Sequence, residues 1–168
     1  MDFIRIGFDF FADQEMFHGH FIAADVFEET SELDGLKGQM SIIFLGAFLH
    51  LFDWDKQLII AKRVVSLLDP KKHNVVFGRM VGNVVGREYP NYSSHADYPE
   101  HTRYLHNPKT LQEMWDEVGN ATGTKWVVQA HLTHVNAGQE AVPSLINPAG
   151  SGMIDFTIER VVAEHDNT

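Results

Sequence analysis

Histidines, aromatic rings and a few carboxylates are the side chains of this sequence that can do chemistry. His50 follows a continuous apolar run, Ser41 to Ala47 (SIIFLGA). An imidazole titrates near neutral pH, so His50 could take a proton from a hydroxyl or a phenol. The alternative is a structural histidine bonded to backbone. Phe48, Phe52 and Trp54 flank it and either wall an apolar pocket or belong to the core. His95, His101 and His106 share a stretch with Tyr89, Tyr92, Tyr98 and Tyr104. They line a pocket under a lid or form a polar surface loop. Imidazole is a common metal ligand, but this spacing matches no compact metal motif, and no metal site is expected. Asp53 and Asp55 read as helix caps. Asp13 to Glu15 and Glu28 to Glu32 read as solvated acidic faces.

The elements that must position these residues alternate between helix and strand. Residues 2–16 open with Phe3, Ile4, Phe8 and Phe11 at helical spacing, weakened by Gly7. His20 to Ala24 reads as a short strand ending at Asp25. Ser31 to Leu36 reads as one helical turn. The Ser41 to Ala47 run is apolar on both faces, which predicts a strand buried inside a parallel sheet. Asp55 to Leu68 is the clearest helix, with Leu58, Ala61, Val65 and Leu68 on one stripe and Pro70 as its stop. Asn74 to Met80 is a second strand. Residues 82–108 carry Gly82, Gly86 and Pro90 without periodicity, and are expected to be a long loop or lid.

Lys109 to Thr122 is a second helix. Its start has two readings, Asn107 as cap with Pro108 at the first helical position, or Thr110 with Glu113 as a capping box. Gly123 can end it. Trp126 to Leu132 and Ile154 to Val162 are the last strands, joined by a Gly- and Pro-rich turn over 136–152. Met80, Met114 and Trp115 are assigned to the core. The alternation predicts an α/β fold with a mainly parallel sheet and an antiparallel C-terminal hairpin at one edge.

Composition narrows the function. The 168 residues fit one domain, and 44% are hydrophobic, an ordinary globular share. The net charge of −10 argues against nucleic acid and against an anionic membrane surface. With no cysteine, disulfides, Cys-ligated zinc, iron–sulfur clusters and a thiol nucleophile are excluded. The N-terminus lacks the pattern of a signal peptide, and no apolar run approaches the roughly 20 residues of a membrane span. A soluble, cytoplasmic protein is expected.

Three segments carry a resemblance. They are Phe21-Ile22-Ala23-Ala24-Asp25-Val26-Phe27, Ser41-Ile42-Ile43-Phe44 running into Phe48-Leu49-His50-Leu51-Phe52-Asp53-Trp54, and Ala61-Lys62-Arg63 through Val76-Phe77-Gly78-Arg79-Met80-Val81-Gly82. With the later helix and strands in place, the chain from about residue 2 to 162 resembles class I S-adenosylmethionine-dependent methyltransferases, in particular fungal enzymes of secondary metabolism. The resemblance implies a Rossmann-like sheet of order 3-2-1-4-5-7-6, with ligands at the carboxyl ends of strands. It implies that Asp25 ends the third strand and accepts a hydrogen bond from the adenine amino group, or otherwise caps the following segment. Val26 and Phe27 would flank the adenine. Gly46, Ala47 and Phe48 would lie beside the methionine moiety and reactive methyl. Phe52 and Trp54 would face a small-molecule substrate, with His50 as base.

No G-x-G-x-x-G is present; Gly35 to Gly38 and Gly82 to Gly86 have the wrong context. The family's glycine-rich loop is expected upstream of residue 1, so the chain reads as a single truncated methyltransferase-like domain over 1–168, with 82–108 as lid or loop. An exposed central strand edge invites association. A homodimer, or a partner chain covering that edge, is therefore expected, or else an incomplete gene product. Two functions follow. One is methyl transfer from S-adenosylmethionine to a small molecule. The other is a member that no longer binds the cofactor and acts as a cyclase, an isomerase or a pseudoenzyme subunit.

Overall fold

The structure is a computed structural model that describes residues 3–12, 15–90, 102–134 and 148–161. Helix α1 spans Phe3–Phe11, and its Phe8 meets Phe17 and Phe21 edge to face. A short 3₁₀ turn, Glu32–Leu36, leads to strand β1, Ile42–Gly46. A second, Leu49–Leu51, leads to helix α2, Trp54–Leu67. Strand β2 is Val75–Asn83, β3 Arg87–Pro90 and β4 Thr102–Leu105. Helix α3 is Pro108–Thr122, followed by β5, Trp126–His134, and β6, Ser151–Arg160.

Local chemistry explains both long helices. The Asp53 carboxylate accepts the Lys56 backbone N–H at 2.9 Å and so caps α2. Asn107 and Thr110 bond each other's backbone in a capping box, with Pro108 inside the first turn. Of the two readings of this helix start, the Asn107 one is therefore observed. Gly123 ends α3 at φ 67°, a left-handed conformation that glycine adopts without strain.

The main sheet has the order β1-β2-β6-β5. β1 and β2 are parallel, whereas β6 is antiparallel to both of its neighbours. Three strands thus share one direction and only β6 opposes them. This is the 4-5-7-6 portion of the expected order, and β5–β6 is the expected antiparallel hairpin pairing. Both helices pack on one face. There Leu58, Ile60, Ala61 and Val64 of α2 meet Leu111, Met114, Trp115 and Val118 of α3 over Val76, Met80, Ile154, Phe156 and Ile158. Met80, Met114 and Trp115 are core, as assigned.

Three expectations are corrected. β1 is buried on one face only. Ile43 and Leu45 pack on the core, whereas Ile42 and Phe44 are each 63% exposed, because no helix covers the opposite face among the described residues. His20 to Ala24 forms no strand; no neighbouring strand takes up its backbone hydrogen bonds, and β1 ends the sheet. Residues 82–108 are not one long loop. Their start extends β2, and β3 pairs with β4 antiparallel. Cross-strand packing outweighed the local turn signals, and Tyr89 and Leu105 are buried. His95, His101, Tyr92, Tyr98, Asp13 and most of the 136–152 turn lie outside the described residues. Among the described residues, no helix is long and apolar enough to cross a membrane.

Candidate functional site

The segment between β1 and α2 carries most of the candidate residues. β1 ends at Gly46, paired with Arg79 of β2. Ala47 then turns the chain at φ 51° and donates its backbone N–H to the Arg79 carbonyl at 2.7 Å. A left-handed alanine is strained by roughly 1–2 kcal/mol. The strain stands at the carboxyl end of a parallel strand, where open α/β sheets bind ligands.

After this turn, Phe48 and Phe52 meet at a centroid distance of 5.2 Å, and Phe27 meets Phe52 at 5.3 Å, both near edge to face. Val26, Phe27, Phe48, Phe52 and Trp54 all pack partly buried against the core. The structure therefore brings the 25–27 segment to the 48–54 segment. Asp25 is exposed and spends one carboxylate oxygen on the Phe27 backbone N–H at 2.9 Å. That bond caps the turn and leaves Oδ2 as an acceptor.

His50 lies in the Leu49–Leu51 turn and is 8% exposed. Its Nδ1 has no hydrogen-bond partner among the described residues. Burial pushes the imidazole below its ordinary pKa, and the positive charge of Arg103 pushes it further the same way. His50 is therefore neutral at pH 7 and keeps a lone pair. Burial also lowers Arg103 itself.

A polar network supports this segment from below. Gln57 of α2 is fully buried; its Nε2 donates to the carbonyls of Phe52 and Tyr104, each at 2.9 Å. The Tyr104 N–H donates to the same Phe52 carbonyl. His106, also fully buried, faces Gln57 Oε1 at 3.0 Å and Thr110 Oγ1 at 3.1 Å. Burial lowers the His106 pKa to about 3. Trp54 packs its indole against Tyr104 and His106 and donates Nε1–H to Glu117 at 3.3 Å.

His106 is thus an interior residue and Tyr104 a half-buried member of β4; neither belongs to a polar surface loop. Gln57 and Arg103 carried no signal in the sequence. Gln57 is one position from Leu58 on the buried side of α2, and Arg103 alternates with Tyr104 in a strand read as loop. An open depression on the uncovered sheet face, lined by Phe77, Gln129, His131, Asp155 and Thr157, contains none of the candidate residues. Among the described residues, no cluster of three or more metal-ligating side chains occurs.

No protein-family model matches the chain. Curated relatives do. Identity is 37% over 127 residues with O-methyltransferase phiE of a fungal species (strain ATCC 74256), covering 75% of this chain and 41% of the relative. It is 36% over 132 residues with O-methyltransferase atr3 of Stereocaulon alpinum, covering 78% and 37%. It is 33% over 159 residues with the Asnovolin E/Chermesin D methyltransferase nvfJ of Aspergillus novofumigatus, covering 94% and 53%. A solved structure of a SAM-dependent methyltransferase from Archaeoglobus fulgidus overlays with a TM-score of 0.44 at 14% identity, covering 91% of this chain and 72% of that one. The chain spans between 37% and 53% of the length of these curated relatives. Over the portion that it spans, the chain is similar to these fungal methyltransferases.

Proposed function

We propose that this chain serves methyl transfer from S-adenosylmethionine to an oxygen of a small molecule. The observation that carries the reading is the 37% identity with an O-methyltransferase over three quarters of the chain. The arrangement at the end of β1 fits it. Oδ2 of Asp25 is an acceptor for the adenine amino group, and Val26 and Phe27 offer an apolar wall beside it. Gly46, Ala47 and Phe48 form the turn expected beside the methionine moiety.

When bound, the cofactor supplies a methyl group on a positively charged sulfur. The protein's part is to hold the acceptor in line, exclude water and remove a proton. Phe48, Phe52 and Trp54 supply apolar surface for the acceptor. His50, neutral and with Nδ1 unpartnered, is the base that takes the hydroxyl proton as the new carbon–oxygen bond forms.

A second chain, another copy in the simplest case, would cover the outer edge of β1. β1 ends the sheet, and Ile42 and Phe44 stand exposed on its uncovered face beside that edge, which supports this.

Isothermal titration with S-adenosylmethionine and S-adenosylhomocysteine tests the reading. Binding at micromolar strength, roughly 8 kcal/mol, is expected. No heat and no shift in melting temperature at millimolar ligand would refute it for this chain alone.

A further inference from the structure

The arrangement of donors and acceptors around Gln57 assigns a proton. Both hydrogens of the Gln57 amide are committed to carbonyls, those of Phe52 and Tyr104. Its remaining atom, Oε1, can only accept. The atom facing it at 3.0 Å is His106 Nε2, which must therefore carry the hydrogen. In the neutral ring, Nδ1 is then an acceptor, and the Thr110 hydroxyl faces it at 3.1 Å, sharing its one hydrogen between Nδ1 and the Asn107 carbonyl at 3.2 Å.

The consequences reach the candidate site. The Phe52 carbonyl takes hydrogen bonds from Gln57 and from the Tyr104 N–H. Phe52 ends the turn that contains His50 and precedes the cap of α2. The other end of the network is equally tied down. Asn83 donates its N–H to the His106 carbonyl at 2.9 Å, and Thr110 belongs to the capping box of α3. A chain of bonds thus runs from α3 through His106 and Gln57 to the backbone of residue 52. Every member except Thr110 is fully buried or bonds through backbone, so water cannot replace a lost partner cheaply.

We infer that His106, held as its Nε2–H tautomer, is a positioning residue: by donating to Gln57 it locks the turn that carries His50 and Phe52 and leads into Trp54 at the start of α2. The inference deepens the proposed function and rests on that reading of the 48–54 segment. It separates two substitutions of similar size. Glutamine places its amide N–H where Nε2–H stands. Asparagine reaches only the position of Nδ1 and leaves Gln57 Oε1 without a donor. A histidine that merely fills space would tolerate both or neither.

The experiment compares the unaltered chain with H106Q and H106N by amide hydrogen exchange. The Tyr104 amide reports the lock, and the β5–β6 ladder is the reference. H106Q should exchange at Tyr104 within about twofold of the parent. H106N should exchange roughly tenfold faster there, with the ladder unchanged. Equal behaviour of the two variants, or acceleration shared with the ladder, overturns the inference. Nitrogen–proton correlation spectra of the unaltered chain give a test without substitution. A hydrogen on Nε2 supports it, and a hydrogen on Nδ1 overturns it. Titration with S-adenosylhomocysteine adds the link to function, with about tenfold weaker binding expected for H106N than for H106Q. If the unaltered chain binds no S-adenosylhomocysteine, the proposed function fails while the exchange data still judge the lock.

Discussion

The rings of Phe27 and Phe52 meet edge to face, with centroids 5.3 Å apart. Phe48 meets Phe52 in the same way from the other side of the turn. Phe52 is therefore the ring through which the Asp25 segment is held to the end of β1. Phe52→Ala removes both contacts and should cost roughly 2–3 kcal/mol, since the ring is only partly buried. Urea denaturation measures this. S-adenosylhomocysteine affinity should fall with it, whereas Phe10→Ala, at a ring 79% exposed, should change neither.

Ala47 tests whether the turn after β1 is strained. Glycine accepts its φ of 51° freely, but it also loosens the unfolded chain. The two effects partly cancel, so Ala47→Gly should leave stability unchanged or raise it by up to about 1 kcal/mol. Ala47→Val should lower it by more than about 1 kcal/mol, because β-branching makes the left-handed region harder to enter. A glycine variant clearly less stable than the parent would show that the turn stores no strain.

His50 sets the expected pH profile. Its pKa lies below the ordinary histidine value, through burial first and Arg103 second. Its basic form therefore predominates at pH 7 and is lost as pH falls through the lowered pKa. If the chain carries the proposed transfer, kcat/KM should rise from acid to a plateau, with the midpoint of the limb below the ordinary histidine value of 6.5. His50→Gln should abolish that limb and reduce turnover by about 10²–10⁴-fold. An unchanged rate in a folded His50→Ala protein would remove His50 from the mechanism.

His106 makes an acid-sensitivity prediction whose sign follows from linkage. Its folded pKa is lowered from 6.5 to about 3, so the unfolded chain binds the proton more readily. Stability is complete above pH 6.5 and falls as pH drops from there towards about 3. The slope from this one group is about 1.4 kcal/mol per pH unit. His106→Gln cannot take up that proton. The parent should lose more stability than the variant between pH 6 and pH 4 by roughly 2–3 kcal/mol, read from urea midpoints at each pH.

Association is tested by charge. If the exposed side of β1 is covered by another chain, light scattering of the purified protein should give a dimer mass. Phe44→Lys should return it to the monomer at a small cost to the separated chain, because Phe44 faces away from the helices and its ring meets only the half-exposed Phe77 at 5.1 Å among the ring contacts of the described residues. A monomer at micromolar concentration before any substitution would refute the homodimer.

Much of the fold was legible because it rests on local chemistry. Asp53, Asn107 with Pro108, and Gly123 mark the ends of α2 and α3 through bonds to residues three or four positions away. The heptad-like spacing of Leu111, Met114, Trp115 and Val118 leaves α3 one face to bury. The strands at β1, β2, β5 and β6 announce themselves by runs of branched and aromatic residues. The 25–27 and 48–54 segments could be named as candidates from residue types alone.

What the tertiary structure decided were matters of sidedness and distant pairing. Ile42 and Ile43 are the same amino acid, yet Ile43 packs on the core and Ile42 is exposed, because both helices cross to one side of the sheet. His20 to Ala24 has the composition of a strand but no neighbour to pair with. His106 reads like any polar loop histidine until Gln57, 49 positions away, meets its ring. A histidine's burial depends on whether a partner for each nitrogen arrives from elsewhere in the chain. That partnership is a property of packing, not of the residues beside it in sequence.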